Sequence, residues 1–200
     1  MIQNGVSKKP NLKKRRLLRV ITRLLREIGE DLERPGLEGT PERVAKAFAE
    51  WYRGYEKPPF DVKVFKTGYK GLVVRPCVPF QSFCEHHMAR YAGTISFAYI
   101  PSGQCIGLSK IIRLIQHWTA RLSIQEDLTD MIVENFKAIL KTDDIAIVVS
   151  AFHSCESTRG VRVAGVPTVT SRLSGRFFTD AALRDEFYKL IKTEIPSSHL

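Results

Sequence analysis

The periodicity of apolar side chains restrains the fold of this chain more than any other feature. Three- and four-residue spacing holds up to the Pro58-Pro59 pair, and beyond it a two-residue alternation appears in two separate blocks with helical segments between them. Leu17, Ile21, Leu24, Leu25, Ile28 and Leu32 mark an amphipathic helix that Arg34-Pro35-Gly36 should end. Thr40-Pro41-Glu42 should open a second helix, with the hydroxyl as cap, a proline where no N–H is needed and an acid in the first turn. Its buried stripe would be Val44, Ala45, Phe48 and Tyr52. The segment from Gly54 to Asp61 reads as a linker.

After the linker, residues 72–78 read as extended, and Pro76 and Pro79 suit an edge strand or a bulge. A strand is expected over 94–100, with Ile95, Phe97 and Tyr99 on one face. Helices are expected over 109–122 and 124–140, the latter burying Leu128, Ile132 and Phe136. Strands follow at 144–152 (Ile145, Ile147, Val149 and Ala151 inward) and at 163–173. Asp180 should cap a last helix carrying Leu183, Phe187, Leu190 and Ile191. Two strand pairs separated by a helix pair predict an α+β domain with an antiparallel sheet and helices on one face. The expected organisation is a basic flexible tail over 1–16, a helical segment over 17–56 and the main domain over 57–200.

The formal charge of +10 raises nucleic acid or an anionic membrane as a partner, but its distribution argues otherwise. Nine of the 31 basic side chains fall before residue 27 with no acid among them, so the rest of the chain carries 22 basic against 21 acidic groups. A nearly neutral body makes nucleic acid an unexpected partner. No apolar run is long enough to span a bilayer, which with the charged N-terminus points to the cytoplasm. There a free cysteine packs in the core, binds metal or does chemistry more often than it forms a disulfide.

Three constellations carry chemistry. Cys84 and His87, in Phe83-Cys84-Glu85-His86-His87, have the short spacing with which one turn presents two zinc-type ligands, and His153-Ser154-Cys155 offers the other half of such a site. Either four of these five residues close a structural zinc, or Cys84, His87 and Cys155 hold an ion with one position open to water. The second reading leaves His86 and His153 free to move protons, and two spare imidazoles favour it. Ile106-Gly107-Leu108-Ser109-Lys110, followed by Arg113, is a turn into a helix whose N–H groups, hydroxyl and cations converge on an anion. Arg43, Lys46 and Arg159 are further cations for a polyphosphate. Gln125-Glu126 pairs an amide with a carboxylate, as recognition of a guanine edge requires, although a first-turn Glu also serves the helix dipole.

Taken together, these residues resemble the GTP cyclohydrolase I family. The matching pieces are Thr40-Pro41-Glu42-Arg43-Val44-Ala45-Lys46, Cys84-Glu85-His86-His87, Ala98-Tyr99-Ile100-Pro101, Ile106-Gly107-Leu108-Ser109-Lys110, Gln125-Glu126-Asp127-Leu128-Thr129, His153-Ser154-Cys155, Arg159-Gly160-Val161-Arg162 and Thr168-Val169-Thr170-Ser171, in the family's order. The resemblance implies the tunnelling fold, a barrel shared by a ring of subunits, and a homodecamer of two stacked pentameric rings with sites between subunits. It implies zinc on Cys84, His87 and Cys155, proton transfer by His86 and His153, and guanine contacts from Gln125 and Glu126. The triphosphate of GTP would bind Ser109, Lys110, Arg113, Arg159, Arg43 and Lys46. The implied reaction makes dihydroneopterin triphosphate and formate, the first step towards folates and pterins. Two stretches depart from the family, Met88-Ala89-Arg90-Tyr91 and Glu156-Ser157-Thr158, and Cys77 and Cys105 read as packed thiols.

Overall fold

The computed structural model describes residues 14–192 and divides the chain into two compact units, residues 1–57 and 58–200. In the first unit, helix α1 (Lys14–Glu27) packs on α2 (Thr40–Trp51). The expected tail lies outside the described residues as far as residue 13, and residues 14–16 already belong to α1. The helix stops well before Arg34-Pro35-Gly36. Gly29, at φ +89°, donates to the Arg26 carbonyl and Glu30 to that of Leu25, a pair of bonds that closes a helix through a left-handed glycine. Leu24 and Ile28, expected to be buried, are exposed. Helix α2 begins at Thr40 after the left-handed Gly39, and the Thr40 hydroxyl caps nothing; it accepts a 2.8 Å hydrogen bond from the Arg43 guanidinium. Ala45 and Tyr52 are buried, whereas Val44 and Phe48 are half-buried.

The second unit holds a five-stranded sheet in the order β5-β2-β3-β6-β7, built from β2 (Val73–Cys84), β3 (Arg90–Tyr99), β5 (Leu122–Ser123), β6 (Ile145–His153) and β7 (Thr168–Leu173). All neighbours are antiparallel except the short β5, which runs parallel to the end of β2. A two-stranded ribbon of β1 (Val64–Lys66) and β4 (Gln104–Ile106) stands apart from it. The prolines of β2 act as expected: the pairing with β3 slips between Arg75 and Val78, where Cys77 takes φ +51° and its N–H bonds Ser96 Oγ. This bulge leaves the Cys77 thiol exposed, not packed, while Cys105 does pack against the core. The strand expected from residue 163 begins only at Thr168, because Gly165, at φ +82°, breaks the extended backbone between the two.

Helices α3 (Leu108–Trp118) and α4 (Gln125–Leu140) cover one face of the sheet, where Ile95, Phe97, Ile111, Ile115, Leu128, Ile132, Phe136, Ile145, Ile147 and Val149 form the main core. The alternation of β3 and β6 sends Ala98 and Ala146 to the other face. There the short α6 (Arg176–Thr179) and α7 (Ala181–Lys192) add a second, smaller cluster through Phe177, Leu183 and Phe187. Asp180 caps α7 as expected, accepting from the Leu183 N–H at 3.1 Å; Ile191 packs, but Leu190 remains exposed. Among the described residues no helix is long and apolar enough to cross a membrane.

Candidate metal centre and active site

The site forms where β2, β3 and β6 meet at one end of the sheet. Cys84 ends β2, and the chain then turns tightly: the Met88 N–H donates to the Cys84 carbonyl and the Cys84 N–H to the Ala89 carbonyl, both at 2.8 Å, with Met88 at φ +52°. This turn sets His86 and His87 beside Cys84, each with Nδ1 3.8 Å from its sulfur. Strand β6 ends at His153, and the single turn α5 (Ser154–Ser157) brings Cys155 back to the same place. The ligand atoms of Cys84, His87 and Cys155 lie within 4.8 Å of one another. Ligand atoms on a tetrahedral zinc stand roughly 3.5–3.8 Å apart, so this set of two thiols and one imidazole fits that ion with little movement. Burial pushes the Cys155 thiol above its ordinary pKa, and the adjacent Cys84 sulfur reinforces the effect. A bound cation would relieve both costs.

His153 is held by two neighbours. Gln125, at the start of α4 and 1% exposed, points its amide oxygen at His153 Nε2, 2.9 Å away. Gln125 Nε2 faces the Val149 carbonyl at 3.3 Å, the Thr168 carbonyl at 3.0 Å and Thr170 Oγ1 at 3.1 Å, which fixes the orientation of the amide. Its oxygen can therefore only accept, so Nε2 of His153 carries the proton and Nδ1 is the free nitrogen of the neutral ring. Burial lowers the pKa of His153, partly opposed by the charges of Glu156 and Glu126, which keeps that nitrogen available as an acceptor near neutral pH. The ring beneath it belongs to Tyr91, stacked at 4.5 Å between centroids and 4° between planes.

The structure distributes the other expected site residues unevenly. The Arg159 guanidinium reaches the metal group and donates to His87 Nε2 at 2.8 Å. Glu126 is exposed in the first turn of α4, close enough to raise the basicity of His153. Gln125, expected to contact guanine, has its amide hydrogens engaged inside the chain. Ser109 and Lys110 lie at the far end of the sheet, in the first turn of α3, and Arg113 follows one turn later on the same helix. Helix α3 begins beside Tyr99, whose hydroxyl receives the Ile106 N–H, and Tyr99 is eight residues along β3 from Tyr91, roughly 27 Å at the rise of a strand. Lys110 sits there over the Phe60 ring at 4.6 Å. Arg43 and Lys46 belong to α2, in the first unit. Among the described residues, a small open cleft of about 140 Å³ lies beside His153, between Glu156 and the 163–166 loop. That is less than the several hundred cubic ångströms of a pocket enclosing a small molecule.

Sequence reasoning missed Tyr91, Ser123 and Thr170. Tyr91 stood out only as a departure from the family, and hydroxyls that act through buried hydrogen bonds leave no spacing pattern.

The model for GTP cyclohydrolase I matches residues 18–192. The chain belongs to this family. It is 41% identical over 175 residues to GTP cyclohydrolase 1 of Nitrosospira multiformis, covering 86% of this chain and 92% of that protein. It is 42% identical over 174 residues to GTP cyclohydrolase 1 of Latilactobacillus sakei, with 84% and 92% covered, and 38% identical over 181 residues to that of a Hydrogenobaculum species, with 90% and 98% covered. The curled antiparallel sheet, its helices and the N-terminal helices agree with the tunnelling fold of the family.

Proposed function

We propose that this chain is a zinc-dependent GTP cyclohydrolase I, hydrolysing GTP to 7,8-dihydroneopterin triphosphate and formate at the start of folate and pterin synthesis, in the cytoplasm. The observation that carries the reading is the convergence of Cys84, His87 and Cys155 beside a histidine whose tautomer is fixed, in a chain of this family. Zinc on those three residues would supply Lewis acidity and a lowered pKa for water at the open position. His153 offers its bare Nδ1 to take a proton from water and returns it to a ring nitrogen of the base, and His86, exposed on the same turn, is the second proton carrier. Glu126 accepts the N–H groups of the guanine edge. One hydrolysis opens the imidazole ring of the base and a second frees formate, after which the ribose opens, rearranges and closes onto the pyrimidine.

Ser109, Lys110, Arg113, Arg159, Arg43 and Lys46 would hold the triphosphate through these steps, keeping each intermediate in place. Ser109 and Lys110 lie too far along the sheet to share one nucleotide with His153 of the same chain. Their position supports a site completed by a second copy, as in a ring of subunits, and a homodecamer of two pentameric rings is the assembly we infer. The decisive experiment incubates zinc-loaded protein with GTP: one formate per GTP is expected, with a product that becomes a fluorescent pterin on oxidation. Fully loaded protein that releases no formate would refute the reading.

A further inference from the structure

We infer that Tyr91 is a positioning residue for His153, a fixed aromatic platform that sets the plane of the imidazole. Tyr91 and His153 are direct partners in the pairing of β3 with β6, so their side chains leave the same face of the sheet side by side, and the rings stack almost parallel. The platform is immobile because its far end is anchored. The Tyr91 hydroxyl lies 2.7 Å from Ser123 Oγ, which lies 3.0 Å from Ser82 Oγ, which donates to the Arg121 carbonyl at 3.0 Å. A carbonyl only accepts, so the chain has one direction: Tyr91 donates to Ser123, Ser123 to Ser82 and Ser82 to Arg121. Tyr91, Ser82 and Ser123 are all buried, and Phe80 meets the Tyr91 ring edge-on at 6.0 Å.

The geometry divides the work on His153 between two side chains. Gln125 fixes which nitrogen bears the proton and where the Nε2 edge points. It leaves the imidazole free to tilt about that single bond, and the ring of Tyr91 removes that freedom from one face. The inference rests on the proposed role of His153 in proton transfer.

The test compares Tyr91→Phe with Tyr91→Leu in metal-loaded protein. Misplacement of a reacting group by an ångström costs about 10- to 100-fold, so Tyr91→Leu should lose kcat by that much with KM for GTP and zinc content unchanged. Tyr91→Phe keeps the ring and should restore most of that loss. With 13C-labelled histidine, the ring protons of His153, assigned by their absence in His153→Asn, should be shifted upfield by the stacked ring in the wild type and in Tyr91→Phe. Wild-type kcat in Tyr91→Leu, an equal fall in both variants, or a His153 signal without the upfield shift would each overturn the inference. The spectra of wild type and Tyr91→Phe decide the geometry even if the leucine variant does not fold. A wild-type protein that shows the shift but releases no formate would refute the enzymatic reading and leave the stacking intact.

Discussion

The amide oxygen of Gln125 sits 2.9 Å from His153 Nε2 while the other end of the same amide is bound to β6 and β7, so both ends of the amide are engaged within the chain. A ring of directed bonds holds it: Gln125 Nε2 donates to Thr170, Thr170 to Thr129, and Thr129 back to the Gln125 carbonyl at 2.7 Å. Gln125→Met keeps the volume and removes the acceptor. We expect kcat to fall about 100-fold, the range of a general acid-base contribution, with KM for GTP changed far less. Steady-state kinetics decide the matter, because a residue contacting guanine would move KM instead.

The metal group predicts a separation between binding and turnover. Cys155→Ala removes one of three converging ligand atoms and should lose zinc and activity together. His86→Ala should keep zinc at the wild-type stoichiometry and lose turnover, since His86 is not among the residues whose ligand atoms converge. Metal analysis of the two purified variants checks this, and an empty site in His86→Ala would require four ligands in place of three.

How much of this was legible in the sequence follows from the range of the interactions involved. Four of the five strands of the sheet could be read because alternation is a local pattern, and the grouping of Cys84 with His87 because their spacing is short, whereas the two-residue β5 carries no pattern of its own. The end of α1 at Gly29 was readable too, since a glycine follows Ile28, but the later Pro35-Gly36 was the louder signal. The partition of Gln125 from Glu126 was not readable, because adjacent residues at a helix start diverge and only the packing of α4 on β6 and β7 decides which one is buried. The stack of Tyr91 on His153 depends on the register of two strands some 60 residues apart in the chain, which no local pattern encodes.

Alkaline titration tests the buried tyrosines. Burial raises the pKa of Tyr52, Tyr91 and Tyr99, so the folded chain retains protons that the unfolded chain releases above about pH 10. Where the folded state binds more protons, stability falls as pH rises. The stability these phenols contribute is thus complete below pH 10 and is lost as pH climbs towards their folded values. Denaturant unfolding should show a declining stability above pH 10 whose slope is reduced in Tyr91→Phe. Ordinary phenols are half ionised at about pH 10, so native protein at that pH should show less phenolate absorbance than the same protein unfolded, in which all six tyrosines titrate normally.

The distance between the two halves of the proposed site yields a test by mixing. Cys155→Ala disables the end of the sheet where β2 and β6 meet, and Lys110→Ala disables the end where α3 begins, roughly 27 Å away along β3. Each variant alone should be inactive on GTP. If one nucleotide is held by the metal end of one copy and the α3 end of another, mixed oligomers contain some sites with both intact ends. Dissociating the two variants, combining them and reassembling them should therefore restore activity, up to about one quarter of wild type for random pairing at equal amounts. A site built within one chain would stay inactive at every ratio. Formate release across a series of mixing ratios distinguishes the outcomes, because the recovered activity should follow the product of the two fractions.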